Sequence, residues 1–238
     1  MAERLVPANG GGSIPAPSLQ FLSLSNQQAQ KIVIMNHYKH RPAPISWAWA
    51  IHNNDQILGV LTVGKPVAWS TCAGLVGEKK NPTGGRQKDV YELNRLWIDD
   101  SLPKNTESQF VGWCLRKLRK ERPRIILVSY ADTAQKNPKG QAHRGVVYQA
   151  TNWLYTGTSA SFKDKTYSWF QDYRSVPLTL RGPNNKGRRL WPPLVNPSTG
   201  QLEKAVLIER SKKHRYVWFS DPEDQKLLHW PILPYPRV

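Results

Sequence analysis

The stretch RIILVSY, residues 124–130, carries a short unbroken apolar run and then meets a polar turn, ADT. A strand with one wet face alternates apolar and polar residues, whereas an unbroken run suits a strand covered on both faces. Such a strand needs layers of structure above and below it, which points to an α/β architecture. The flanking text agrees. TESQFVGWCLRKLRK reads as a helix with Phe110, Val111, Cys114, Leu115 and Leu118 on one face, and Arg116, Lys117 and Lys120 mostly elsewhere, shown to solvent. VYELNRLWI reads as a strand, and SWAWAIHN with QILGVLTVG as a hairpin around Asn53–Asp55. SNQQAQKIVIMNHYKH reads as a helix capped by Ser25 or Asn26 and ended by Pro42 and Pro44. Residues 71–88 read as a Gly- and Lys-rich loop, and GVVYQATNWLYTG as a last helix stopped by Gly157. The expected order is helix, hairpin, strand, helix, strand, helix, around a mixed sheet flanked by helices. Residues 1–17 are Gly-, Pro- and Ala-rich and read as loose, 18–157 as the core, and 158–238 as a basic β-rich extension packed on it, with strands AVLIE and RYVWF. WPILPYPRV cannot be helical.

Charge narrows the class of partner. The chain carries 34 Lys and Arg against 17 Asp and Glu, a formal net charge of +17. A field of that sign favours polyanions. Ten tryptophans allow base stacking as well as core building. Two cysteines, Cys72 and Cys114, with no CxxC, support neither a disulfide framework nor a cysteine zinc site. No apolar run approaches membrane-spanning length, and no signal-peptide pattern opens the chain, so a cytoplasmic protein is expected. The basic clusters are Arg116–Arg124, Arg181–Arg189 and Lys212–Arg215. The loop GPNNKGRR suits a phosphate backbone, so Lys186, Arg188 and Arg189 are candidate DNA contacts, with Lys212, Lys213 and Arg215 beside them.

Spacing singles out further residues. On a helix, Val147, Ala150 and Leu154 form a packing side, while Tyr148, Asn152 and Tyr155 form a second stripe of two phenols and an amide. That stripe holds a flat ligand or else belongs to the core with its hydroxyls satisfied. Ser129, Tyr130 and Asp132 stand where a central strand ends, the usual ligand position in open α/β sheets. Asp132 either orients or deprotonates an amine or bonds its own turn. His37 reads as a base, a weak metal ligand or a helix-end histidine, with Tyr38 beside it. Glu92 and Asn94 share a strand face, where Glu92 suits a salt bridge with Arg95 or a lysine. Ser108 near a helix start holds an anion or completes a cap.

Leu96–Gly157 resembles the GCN5-related N-acetyltransferase fold. LWIDDSLPKNTESQFVGWCLRKL follows its strand, Pro-containing turn and helix; RIILVSYAD and VVYQATNWLYTG follow its next strand and tyrosine-bearing helix. The glycine loop that usually lets backbone N–H groups approach the coenzyme A diphosphate is replaced by Lys104-Asn105-Thr106-Glu107-Ser108. A resemblance over most of the chain from His37 is carried by HYKHRP, ILGVLTVGKP, YELNRL, LVSYADT, GVVYQATNWLYTG and KKHRYVWF…WPILPYP, which look like the Mom family of phage DNA-modification proteins. It implies a diverged acetyltransferase-like fold, conversion of DNA adenine to its N6-carbamoylmethyl form, and protection of phage DNA from restriction. It implies site roles for His37, Tyr38 and the stripe of Tyr148, Asn152 and Tyr155, and DNA as partner, and the acetyltransferase likeness implies a general-base role for Glu92. The donor stays open between acetyl-coenzyme A and another activated two-carbon unit, with iron a further option; a homodimer stays open too. An ordinary acyl-coenzyme A amine acetyltransferase and a non-catalytic DNA-binding protein are the alternatives.

Overall fold

The structure, a computed structural model, describes residues 19–39, 42–54, 56–77, 85–136, 140–159, 167–171, 176–179, 194–195, 202–203, 206–209 and 212–237. The elements run β1 (Gln20–Ser23), α1 (Asn26–Asn36), β2 (Trp47–Asn53), β3 (Gln56–Gly64), α2 (Trp69–Val76), β4 (Val90–Ile98), α3 (Thr106–Glu121), β5 (Ile126–Asp132), α4 (Val146–Ala150) and β6 (Leu154–Thr158). After them come β7 (Tyr167–Gln171), β8 (Val176–Thr179), β9 (Leu194–Val195), β10 (Leu202–Glu203), β11 (Val206–Glu209) and β12 (Lys213–Phe219).

Seven strands form one mixed sheet in the order β1-β2-β3-β4-β5-β12-β6. Only β4 and β5 pair in parallel. β5 is covered on both faces, as its unbroken apolar run requires. Leu127 joins α3's Phe110, Val111, Cys114, Leu115 and Leu118 on one side. Ile126 and Val128 join α2's Cys72, Leu75 and Val76 on the other. Ala29 and Val33 of α1 cover Ala48, Ala50 and Val60 farther along that second face. The expected hairpin is β2–β3. At α1, Ser25 supplies the cap, its hydroxyl accepting the Gln28 N–H.

Three expectations are corrected. The stretch 145–157 is not one helix: α4 ends at Ala150, and Leu154–Thr158 is a strand. The break is made by Asn152 in the left-handed region at φ 60°, a conformation Asn tolerates better than most residues. Trp153 then turns into the core at 0% exposure. Residues 71–76 belong to α2 rather than to a loop. And β12, from the stretch expected as an extension packed on the core, lies inside the sheet between β5 and β6. A boundary at residue 157 therefore cuts through the sheet.

The chain after β12 is locked down by Asp224, buried at 1% exposure. Arg124 grips it with two nitrogens, Nε at 2.8 Å, and Arg86 grips it from β4's side. The Arg124 hydrogen bonds, followed by the charge of Arg86, hold the Asp224 carboxyl below its ordinary value. A depressed carboxylate stabilises the fold above its unfolded pKa and loses that contribution as pH falls through the folded one. Asp224→Asn is expected to cost about 2 kcal/mol at neutral pH, below the range for fully buried pairs because Arg124 is half-exposed. Urea titrations should show the wild-type advantage at pH 7 shrinking below about pH 4; an advantage that is pH-independent contradicts the ion-pair account.

Candidate active site

The site begins where two strands part. β4 and β5 stay in register only over Val90–Ile126, Tyr91–Leu127 and Glu92–Val128. Beyond Glu92, β4 follows β3 to Ile98, and beyond Val128, β5 follows β12 to Asp132. The backbone groups facing the gap need other partners. Ser129 closes its base: its hydroxyl oxygen lies 2.8 Å from the Leu93 carbonyl and 2.7 Å from the Tyr148 hydroxyl. A carbonyl only accepts, so Ser129 spends its one proton there and Tyr148 donates the second bond. Tyr148 is 4% exposed, with Trp153 and Tyr216 each at 5.1 Å between ring centroids. Burial pushes its phenol above the ordinary range. Gly145 makes this stacking possible: at φ 72° a Cβ there would meet Tyr216 at 2.5 Å and Tyr148 at 2.9 Å.

The other face of the gap is built from the end of α1. His37 caps that helix, its N–H donating to Val33, and its Nδ1 accepts the Lys39 N–H at 3.1 Å. Its ring stacks on Tyr38 at 4.3 Å. The chain then crosses β3 and β4, pressed so close that a Cβ on Gly64 would stand 1.9 Å from the Pro44 carbonyl oxygen. Asn94 sits in the bulge of β4, accepting from Thr62 at 2.6 Å and donating to Pro44 at 2.7 Å, and Arg95 donates to Pro42. Both ends of the Asn94 amide are thus used in holding the crossing segment.

Charge collects around this crossing. Tyr38 shows 41% of its surface, yet protein crowds its phenol. Burial first and the Asp132 charge second raise it, with the open surface tempering the shift. Lys39 is pushed down to about 8 by burial and then by the neighbouring cations Lys213 and Arg95. Burial raises the Glu92 carboxyl against the pull of Lys39, Arg95 and Lys213. Glu92 has no hydrogen-bond or ion-pair partner among the described residues. Asp132 accepts the Ala134 N–H at 3.1 Å through Oδ1 and meets Lys213 Nζ at 3.3 Å through Oδ2. The turn reading of Asp132 is therefore present, with its second oxygen paired to Lys213.

Tyr130 packs toward α2, among Val128, Val217 and Trp230, and stands within reach of the Glu92 charge: burial first and Glu92 second raise its phenol. Other expected residues lie apart. Tyr155 hydrogen-bonds His214 Nδ1 at 2.9 Å. Ser108 and Asn152 line a separate cavity of about 740 Å³ between α3, the turn after α4 and β12. Ser108 also donates to the Asn105 carbonyl, beside the helix end. Arg215 donates twice to Thr156 and lies 3.6 Å over Trp230. Lys212 is exposed. Lys186, Arg188 and Arg189 lie outside the described residues, as does the stretch 1–17. Lys39 and Arg95 were missed in the sequence. Their neighbours are distant in the chain, and only the adjacency of Lys39 to His37 and Tyr38 hinted at a role.

Among the described residues no group of three or more His, Cys, Asp or Glu is placed to hold a metal ion. No described helix is long and apolar enough to cross a membrane. The start of α3 does not suit a diphosphate: Asn105 stands where a glycine loop would be, and Glu107 is the charged residue of the first turn.

The fold and gap define an α/β protein whose central parallel pair opens into a two-sided site. The chain belongs to the Mom protein family, whose profile matches residues 18–237. It is 27% identical over 225 residues to the methylcarbamoylase Mom of Escherichia phage Mu, covering 92% of this chain and 84% of that one. Among solved structures it is similar to an N-acetyltransferase from Staphylococcus aureus Mu50, with TM-score 0.44, 13% identity, and coverage of 86% of this chain and 99% of that one. It is also similar to a putative acetyltransferase from Acinetobacter baylyi ADP1, with TM-score 0.46, 10% identity, and coverage of 88% and 97%.

The contact over Gly64 is testable. Gly64→Ala must push the 42–46 segment off the sheet, at a cost of about 1–3 kcal/mol. Because that segment is fastened to Asn94 and Arg95 of β4 beside the gap, DNA-modifying activity is expected to fall more than tenfold while the variant remains folded at 25 °C. Thermal denaturation and activity of one preparation check this; full activity with a lowered Tm separates the crossing segment from the site.

Proposed function

We propose that the chain attaches a carbamoylmethyl group to the N6 amine of adenine in DNA and so shields phage DNA from restriction. The observation that supports this most is the gap itself: Tyr38, Lys39, Glu92 and Asp132 on one face and Ser129 with Tyr148 on the other. It lies in a chain that aligns over most of its length with a methylcarbamoylase.

The chemistry demands such a site. The N6 amine is paired inside a duplex, so the base must leave the stack to react. The half-open Tyr38 ring, backed by His37, offers a flat surface to receive it. The N6 lone pair is delocalised into the ring, so as nitrogen bonds the CH2 carbon of an activated two-carbon donor, whose leaving group departs with the electron pair of the broken bond, a proton must leave nitrogen. Glu92 is the group best placed to take it. It is unpartnered among the described residues, and burial makes it a stronger base than an exposed carboxylate. Asp132 holds Lys213 at the rim, where Lys212 and Lys213 meet phosphate. Tyr148 and Ser129 set the width of the gap. The acetyltransferase alternative is disfavoured by Glu107 in the first turn of α3.

The test is to express the chain in bacteria, digest plasmid DNA to nucleosides and weigh them. The reading requires a deoxyadenosine heavier by one carbamoylmethyl group. An acetyl-sized increment instead supports acyl transfer, and unmodified DNA with soluble protein overturns the reading. Glu92→Gln and Asp132→Asn should each lower the yield by about 10²-fold with DNA affinity retained. Because Glu92 must be ionised to act and its carboxyl is raised, activity should fall as pH drops through a value above that of an exposed glutamate. Rate profiles from pH 5 to 8 check the sign: a limb no higher than an exposed carboxylate's removes Glu92 from the role.

A further inference from the structure

We infer that the outer face of α3 binds a second segment of duplex DNA, apart from the one that delivers adenine to the gap. The inference rests on DNA being the substrate.

Arg116, Lys117, Arg119, Lys120 and Arg122 are all exposed. The first four lie on the sides of α3 turned away from Phe110, Val111, Cys114, Leu115 and Leu118, which face the sheet, and Arg122 follows as the residue that ends the helix. No described carboxylate pairs with any of them; the ion pairs nearby are spent on Arg86 and Arg124. Three lie against aromatic rings instead: Lys117 at 5.3 Å from Trp113, Arg119 at 5.4 Å from Trp218, and Arg122 at 5.7 Å from Trp47. In each the charged head itself lies over the ring, which orients the cation while the residue stays exposed.

Helix stability alone does not account for this run. The negative end of a helix favours cations in its last turn, which covers Arg119 and Lys120 but not Arg116 and Lys117. Arg116 with Arg119, Arg116 with Lys120, and Lys117 with Lys120 are like charges at three- and four-residue spacing, each costing a few tenths of a kcal/mol, about 0.2–0.5. A polyanion laid along the face offsets that repulsion.

The face is turned away from the α1 side of the gap. α3 follows β4 and leads back to the start of β5, so its basic half ends beside Ile126. The gap opens only about 7 Å farther along β5 at strand rise, but α3 covers the face of the sheet opposite α1. Duplex DNA is stiff over about 150 base pairs. A duplex entering the gap from the α1 side therefore does not bend round the sheet to reach α3. A second segment does, and holding it keeps the enzyme on long DNA between reactions.

The experiment compares wild type with Lys117→Glu/Lys120→Glu/Arg122→Glu, and with the same three positions changed to Gln as a control for folding. Short labelled duplexes are counted per protein chain by native mass spectrometry, and modification is measured on short duplex and on plasmid. The wild type is expected to bind two duplexes per chain and the Glu variant one. Modification of the short duplex should stay within about twofold, while modification of plasmid at physiological salt drops at least tenfold. The salt slope of the second binding event should fall by up to about 3. One duplex per wild-type chain overturns the inference. So does an equal loss of short-duplex and plasmid modification, which makes α3 part of the first footprint. Two duplexes per chain with no modified nucleoside in any sample contradicts the proposed reaction and leaves the α3 site standing.

Discussion

Everything about the site depends on β4 and β5 ceasing to hydrogen-bond after Glu92 and Val128. A parallel pair that continued would bury its polar backbone and leave a closed sheet. Because each strand keeps a partner on its other side, the separation does not unravel the sheet. β3 holds β4 through the bulge at Asn94, and β12 holds β5 as far as Asp132. The opening at the centre of the sheet is therefore framed by continuous ladders on both sides. At its base the Leu93 carbonyl is met by Ser129.

The two faces of this opening are made differently. On the α3 side it is an aromatic wall, in which Tyr148, Trp153 and Tyr216 support one another and the absence of a side chain at Gly145 lets them close. On the α1 side it is a polar crossing, where a strap of chain lies flat because Gly64 has no Cβ and Asn94 fastens it. Rigidity on one side and charge on the other suit a reaction in which a flat base is held and a proton is removed. The unequal treatment of the two carboxylates fits this division. Asp132 is tied to Lys213 and its own turn, whereas Glu92 is left without a partner among the described residues.

Much of the frame was legible in the sequence because its signals are local. The unbroken run at residues 125–130 identified the central strand, the turn at Asn53–Asp55 identified the hairpin, and the apolar spacing in residues 110–118 identified the face of α3. The ordered motifs carried the family. What was not legible came from long-range placement. Nothing in KKHRYVWF says that it slips between β5 and β6. The spacing in GVVYQATNWLYTG fitted a helix, but a single left-handed residue, Asn152, turned its second half into a strand. That separated Tyr155 and Asn152 from Tyr148. Lys39 and Arg95 owe their importance to neighbours from β5 and β12, which no local pattern reveals.

The most direct test of the account is a structure of the protein with a short duplex that contains a target adenine. The account requires that adenine out of the stack, its ring against Tyr38 and its N6 in the gap between β4 and β5, within hydrogen-bond reach of Glu92. An adenine still stacked in the duplex, or one extruded to a position away from the gap, contradicts it.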